Sequence, residues 1–153
     1  MKKVHLVSSA IISLLLMNAV QAAPPVSYFP KKDLGQFLAD KFDLASIRSS
    51  LGPRRSPAHR TFADFGMKPS KATEDILVFD GAGDWYYELK IVARKDVNRD
   101  GIEDLEVCFI DRASNGGTYD SSQVLLITRY SATDYAVAVS FSPGDGKCQQ
   151  HLR

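Results

Sequence analysis

Residues 95–107 read KDVNRDGIEDLEV, and this segment gathers the side chains best suited to chemistry. Counted from Asp96, oxygen-bearing side chains fall at the first, third, fifth and ninth positions (Asp96, Asn98, Asp100 and Asp104), with Gly101 sixth and Ile102 seventh. Carboxylates crowded in this way repel one another unless a cation sits among them or each turns outward to water. Calcium is a hard cation that takes roughly six to eight oxygens, and a tight loop whose alternate side chains turn inward supplies them in this register, together with the carbonyl at the seventh position. Glycine at the sixth position permits the sharp turn. The expected ligands are the side chains of Asp96, Asn98, Asp100 and Asp104 and the Ile102 carbonyl, with calcium as the expected cofactor. Magnesium suits the set less well, because it prefers fewer protein oxygens in stricter geometry. The alternative is a metal-free hairpin turn, in which Asp and Asn side chains accept hydrogen bonds from nearby backbone amides and the glycine supplies a positive φ.

The segment is not an ordinary EF-hand, since Val107 stands where that loop needs a bidentate Glu and the flanks YYELKIVAR and LEVCFI have strand character. DVNRDGIEDL instead resembles the strand-loop-strand calcium loops of the FG-GAP and VCBS type, whose pattern is D-x-D-x-D-G-x-x-D-L. That resemblance implies the same ligands, Asp96, Asn98, Asp100, Asp104 and the Ile102 carbonyl. It covers one short segment and occurs once, whereas propellers of that type need several copies, so it bears on the ion site and leaves the overall fold open.

Other chemistry has little support. His59 lies in RRSPAHR, a solvated basic loop, His151 lies in the tail, and no G-x-S-x-G, H-E-x-x-H or P-loop pattern occurs. Glu88 and Asp111 are conceivable as an acid and base, but carboxylates on strands more often face solvent, so no catalytic residue is assigned and the chain is read as a non-enzyme. Binding is better supported: Trp85 and Tyr86 follow the glycine-rich turn of DGAGDWYYELK, and Tyr119 sits in the polar loop DRASNGGTYDSS. Aromatics beside polar loops form contact surfaces for a protein or glycan. The alternative is that Trp85 and Tyr87 alternate into the core while Tyr86 faces out. Small secreted bacterial lysozyme inhibitors are similar in size, secretion and β content, although SNGGTY departs from their S-G-x-x-Y loop.

Elements that would position these residues follow a leader. Residues 1–22 carry two lysines, an apolar run and then small residues before Pro24, which predicts a signal peptide cut after Ala22 or Ala23. Its removal would leave 153 − 22 = 131 residues as a single domain and, with Lys2 and Lys3 gone, 17 basic against 18 acidic residues. That near-neutral balance argues against nucleic acid as a partner, and no later apolar run is long enough for a membrane span. The predicted location is the periplasm or the extracellular medium. Cys108 and Cys148, an even pair in an oxidising compartment, predict a disulfide.

Three prolines in PPVSYFPKK predict an extended arm. Leu34, Phe37, Leu38, Phe42, Ile47 and Leu51 recur at mostly three- and four-residue steps, which predicts one broken helix or two short ones over residues 33–51. Residues 52–75 read as an irregular connection anchored by Phe62 and Phe65. Over residues 76–142 the segments ILVFD, WYYELKIVA, DLEVCFID, QVLLITRY and YAVAVSFS read as about five strands, with residues 143–153 as a tail. The expected class is α+β, an N-terminal helix or helices on an antiparallel meander, with an all-β sandwich or small barrel as the alternative. The functional expectation is a secreted or periplasmic calcium-binding structural or binding module, the alternative being a periplasmic enzyme inhibitor or small hydrolase.

Overall fold

The structure is a computed structural model in which residues 23–47, 56–143 and Cys148 are described. The predicted leader, the end of the predicted helical stretch at residues 48–51, and most of the tail with His151 lie outside the described residues. Six strands form one sheet in sequence order: β1 (Lys71–Ala72), β2 (Ile76–Ala82), β3 (Trp85–Lys95), β4 (Asp104–Ala113), β5 (Asp120–Thr128) and β6 (Val137–Pro143). Every neighbouring pair is antiparallel, as short connections require. β1 is an additional strand inside the stretch read as irregular. Among the described residues the sheet is open, with β1 and β6 at its edges, and no sandwich or barrel forms.

Strand alternation sorts the side chains onto two faces. Leu77, Phe79, Tyr87, Leu89, Val107, Phe109 and Leu125 share one face and are all buried. At roughly 1.5–3 kcal/mol for each large apolar side chain, this face is the principal source of stability. Val78, Cys108 and Ile110 alternate to the opposite face and are also shielded from water. There Cys108 is joined to Cys148 with 5.5 Å between their Cα atoms, closing a sequence separation of 40.

One α-helix, α1 (Leu34–Lys41), lies on the core face; Leu34, Gly35, Leu38 and Ala39 form its buried stripe. Gly35 sits so close to the chain before β2 that its N–H donates to Thr73 O at 2.9 Å. A Cβ at this position would meet the same oxygen at 2.7 Å. The helix is shorter than its apolar periodicity predicts. Phe42 is extended and bridges in parallel to Ala136, and the Asp43 N–H donates to Ala136 O at 2.9 Å. The Asp43 carboxylate then accepts the Ala45 N–H at 2.8 Å and starts a 3-10 turn, Leu44–Ser46. Asp competes with helical hydrogen bonding in this way, and the competition breaks the predicted helix at Asp43. The segment is thereby fastened near β2 at one end and to β6 at the other.

Phe62, fully buried, stacks on Phe79 with ring centroids 4.4 Å apart, and Phe65 is partly buried against the same core. Arg129 is buried, and among the described residues its hydrogen bonds go to carbonyls rather than to a carboxylate. Its guanidinium donates to the carbonyls of Tyr28, Ala132 and Asp134 and lies 4.7 Å from the centroid of the Phe37 ring. It ties the N-terminal arm to the β5–β6 connection.

Candidate metal centre

β3 ends at Lys95 and β4 begins opposite it at Asp104, so residues 96–103 form the hairpin loop between two long strands. Two positions in this loop have positive φ, Arg99 at 65° and Gly101 at 84°. The glycine is well suited to such a turn, whereas Arg99 is a non-glycine residue in the left-handed region. The acidic side chains bend onto the loop's own amides. Asp96 accepts from Asp100 N at 3.1 Å and Gly101 N at 2.9 Å, Asn98 Oδ1 accepts from Asp100 N at 3.0 Å, and Asp100 Oδ1 accepts from Ile102 N at 2.8 Å. Asn98 Nδ2 donates to Asp100 Oδ2 at 2.8 Å.

Asp104 differs from the other three. Asn98 and Asp100 are exposed and Asp96 is half-buried, but Asp104 has 0% exposure. Its Oδ2 accepts the Val97 N–H at 3.0 Å, which turns the carboxylate toward the loop. Its Oδ1 is buried and, among the described residues, accepts no hydrogen bond. Leaving a buried polar atom unsatisfied costs about 1–3 kcal/mol, and more when it is charged.

Four of the five predicted ligands lie in this loop and the fifth, Asp104, begins β4 beside it; all are oxygen donors, the type that calcium requires. As the side chains stand, no group of three or more His, Cys, Asp or Glu residues among those described is arranged to hold a metal. The Asp and Asn oxygens are directed at backbone N–H groups. Each carboxylate has about four lone-pair sites, so accepting one or two such bonds leaves capacity for an ion.

The extended arm lies alongside this loop. Val26 bridges in parallel to Ile102, its N–H donating to Gly101 O and its carbonyl accepting the Glu103 N–H, each at 2.8 Å. Glu103 accepts from Ser27 Oγ at 2.9 Å and from Arg94 Nη2 at 2.6 Å, while Arg94 Nη1 donates to Pro30 O at 3.1 Å. Sequence reasoning missed this attachment, because no residue in the arm signals where it lands.

The aromatic residues do not form one patch. Trp85 is half-buried against the core and meets Tyr119 edge-on at 5.6 Å. Tyr86 points to the opposite face, where its hydroxyl donates to Glu88 and Arg112 lies 4.1 Å from its ring centroid. Burial first, and Glu88 second, push the Tyr86 hydroxyl up to about 12. Tyr87, on the core face beside Asp111, is likewise pushed up to about 12, chiefly by burial and then by the Asp111 charge. Glu88 pairs with Ile110 while Asp111 pairs with Tyr87, so Glu88 and Asp111 stand on opposite faces and cannot converge on one substrate atom. His59 Nδ1 lies 3.0 Å from Ser56 Oγ across an exposed turn, and its ring packs on Phe65 at 5.3 Å. Arg60, ion-paired with Asp43 and 4.3 Å from the Tyr135 ring centroid, is shared by two surface clefts of about 410 and 470 Å³.

The chain matches no protein-family model, no curated protein and no solved structure. Among the described residues, no helix is long and apolar enough to cross a membrane.

Proposed function

We propose that this chain is an exported, calcium-binding structural or binding module whose ion site is the β3–β4 loop. The observation that carries the proposal is the Asp104 carboxylate, buried with one oxygen lacking a hydrogen bond and turned toward a loop that also bears Asp96, Asn98 and Asp100. A bound dication supplies the positive charge that offsets the repulsion among the three carboxylates. The side chains of Asp96, Asn98, Asp100 and Asp104 and the Ile102 carbonyl are the ligands in this proposal, and Gly101 allows the backbone to turn around them. The ion's role is structural, because these donors nearly fill the coordination that calcium takes. The site then stiffens the connection between the two longest strands and presents a fixed surface to a protein or glycan partner. Export to the periplasm or the medium fits the Cys108–Cys148 pairing.

The test is titration calorimetry together with thermal melting in chelator, in millimolar calcium and in millimolar magnesium, on the wild type and on Asp100→Ala. The expected dissociation constant is about 10⁻⁴ M, in the range of extracellular modules. Tenfold excess calcium should then stabilise the wild type by roughly 1.4 kcal/mol. No calcium-dependent heat or melting shift in the wild type would reject the site, and an equal shift in Asp100→Ala would move it elsewhere.

A further inference from the structure

We infer that the N-terminal arm is a strap governed by the calcium loop: ion occupancy and docking of residues 23–27 reinforce each other. The inference rests on the calcium proposal and goes beyond it, because the arm supplies none of the proposed ligands. Its basis is where the arm is attached. The two backbone hydrogen bonds of Val26 go to the Gly101 carbonyl and the Glu103 N–H, the groups on either side of Ile102, whose own carbonyl is the proposed main-chain ligand. The arm thus holds the one stretch of loop backbone that must stay in place for a carbonyl to face the ion. Two residues further, the buried Asp104 carries the oxygen without a hydrogen bond. One loop segment therefore has the strap along its backbone and the proposed ion at its side chains and carbonyl.

The strap is otherwise lightly held at this end. Val26 is 53% exposed, and residues 23–27 are exposed throughout, so little apolar burial holds them down. Polar contacts do most of the holding. Ser27 and Arg94 converge on Glu103, and Arg94 also reaches Pro30 O. Firmer anchorage begins only at Phe29, buried and edge-on to Phe37 at 6.0 Å, and at Tyr28, whose carbonyl takes a bond from Arg129. Without the ion, repulsion among Asp96, Asp100 and Asp104 loosens the loop, and the Gly101 and Glu103 positions that Val26 needs loosen with it. Linkage makes the effect reciprocal: whatever factor calcium adds to docking of the arm, docking adds to calcium affinity. The calcium-free protein accordingly presents a freed segment around residues 23–27, open to proteases or partners, while the calcium-bound protein holds it flat.

Two measurements on the full mature chain test this. Hydrogen exchange of the wild type should show the amides of Val26 and Glu103 exchanging about tenfold more slowly in saturating calcium than in chelator, while the Phe79 and Phe109 amides of the core change little. Val26→Pro removes the N–H that donates to Gly101, and calorimetry should find its calcium affinity reduced about fivefold or more. If the wild type shows no calcium heat, the ion site and the strap fail together. If the wild type binds calcium but Val26 and Glu103 exchange at the same rate in both conditions, the strap alone is overturned. Equal affinity in a folded Val26→Pro would overturn it as well.

Discussion

The carboxylate of Asp104 accepts the Val97 N–H at 3.0 Å through one oxygen, while its other oxygen, equally buried, accepts no hydrogen bond. This asymmetry yields a prediction with opposite signs in two solutions. Asp104→Asn keeps an oxygen for Val97 but removes a buried negative charge from a cluster of carboxylates. In chelator the variant should melt at least as high as the wild type, since an unpaired buried charge costs more than a neutral amide. In millimolar calcium it should lose the wild type's rise in melting temperature, expected to be about 5 °C for roughly 1.4 kcal/mol. Parallel melts of the two proteins in both buffers provide the check.

The Cys108–Cys148 link closes a sequence separation of 40. On the chain-entropy account its loss costs about 4 kcal/mol. Cys148→Ser should therefore lower the melting temperature by about 15 °C. Peptide mapping of the wild type without reductant should recover the two cysteines in one linked species.

Gly35→Ala would place a Cβ 2.7 Å from Thr73 O and 3.0 Å from Ile76 O, both backbone atoms that cannot swing aside. Although alanine is the better helix former, the substitution should destabilise the fold by about 2 kcal/mol, a typical cost of overpacking. Denaturant unfolding should show a lower midpoint with an unchanged slope.

Two tyrosines should ionise late. Tyr86 and Tyr87 are both pushed up to about 12, by burial above all. Both therefore hold their protons more tightly folded than unfolded. Their contribution to stability is fully present below pH 10 and is lost as pH rises from 10 toward about 12. Spectrophotometric titration of tyrosinate should show a late group of two hydroxyls that ionises toward about pH 12. Tyr86→Phe should remove one residue from the late group without altering the core.

The strands were legible because β-branched and aromatic residues alternate over residues 76–142 and stop at Gly, Asp, Asn and Ser. β1 was not, since two residues, Lys71 and Ala72, carry no period and are strand only because Val78 and Leu77 lie opposite. A break in the helical stretch was legible, but its place was not, because Phe42 and Ile47 fit the helical spacing while the preference of Asp43 for its own backbone decides where α1 stops. For the candidate site, spacing indicated which oxygens share the loop. It could not single out Asp104, whose burial depends on how the loop folds over the start of β4. Nor could spacing separate Glu88 from Asp111, because the face each occupies is fixed only once the β3–β4 register is known.

The way both sides of the sheet are finished bears on how the protein behaves at high concentration. An open sheet offers unpaired backbone groups that can recruit a strand from another copy. Here much of that opportunity is already taken. On the β6 side, Ala136 N donates to Lys41 O, Ala136 O accepts from Asp43, and Ala138 N donates to Ser46 Oγ. Beyond them the register shifts around Val139, which spoils a straight edge. On the other side, Ser70 bonds to Val78 and Asp80, and Thr73 accepts from Gly35, leaving β1 only two residues long with Lys71 exposed on it. The short α1 segment and its 3-10 turn thus act as guards against strand-to-strand polymerisation as well as a cover for the core. Loosening them, as at Gly35 or Ser46, should convert a loss of stability into a tendency to form fibres.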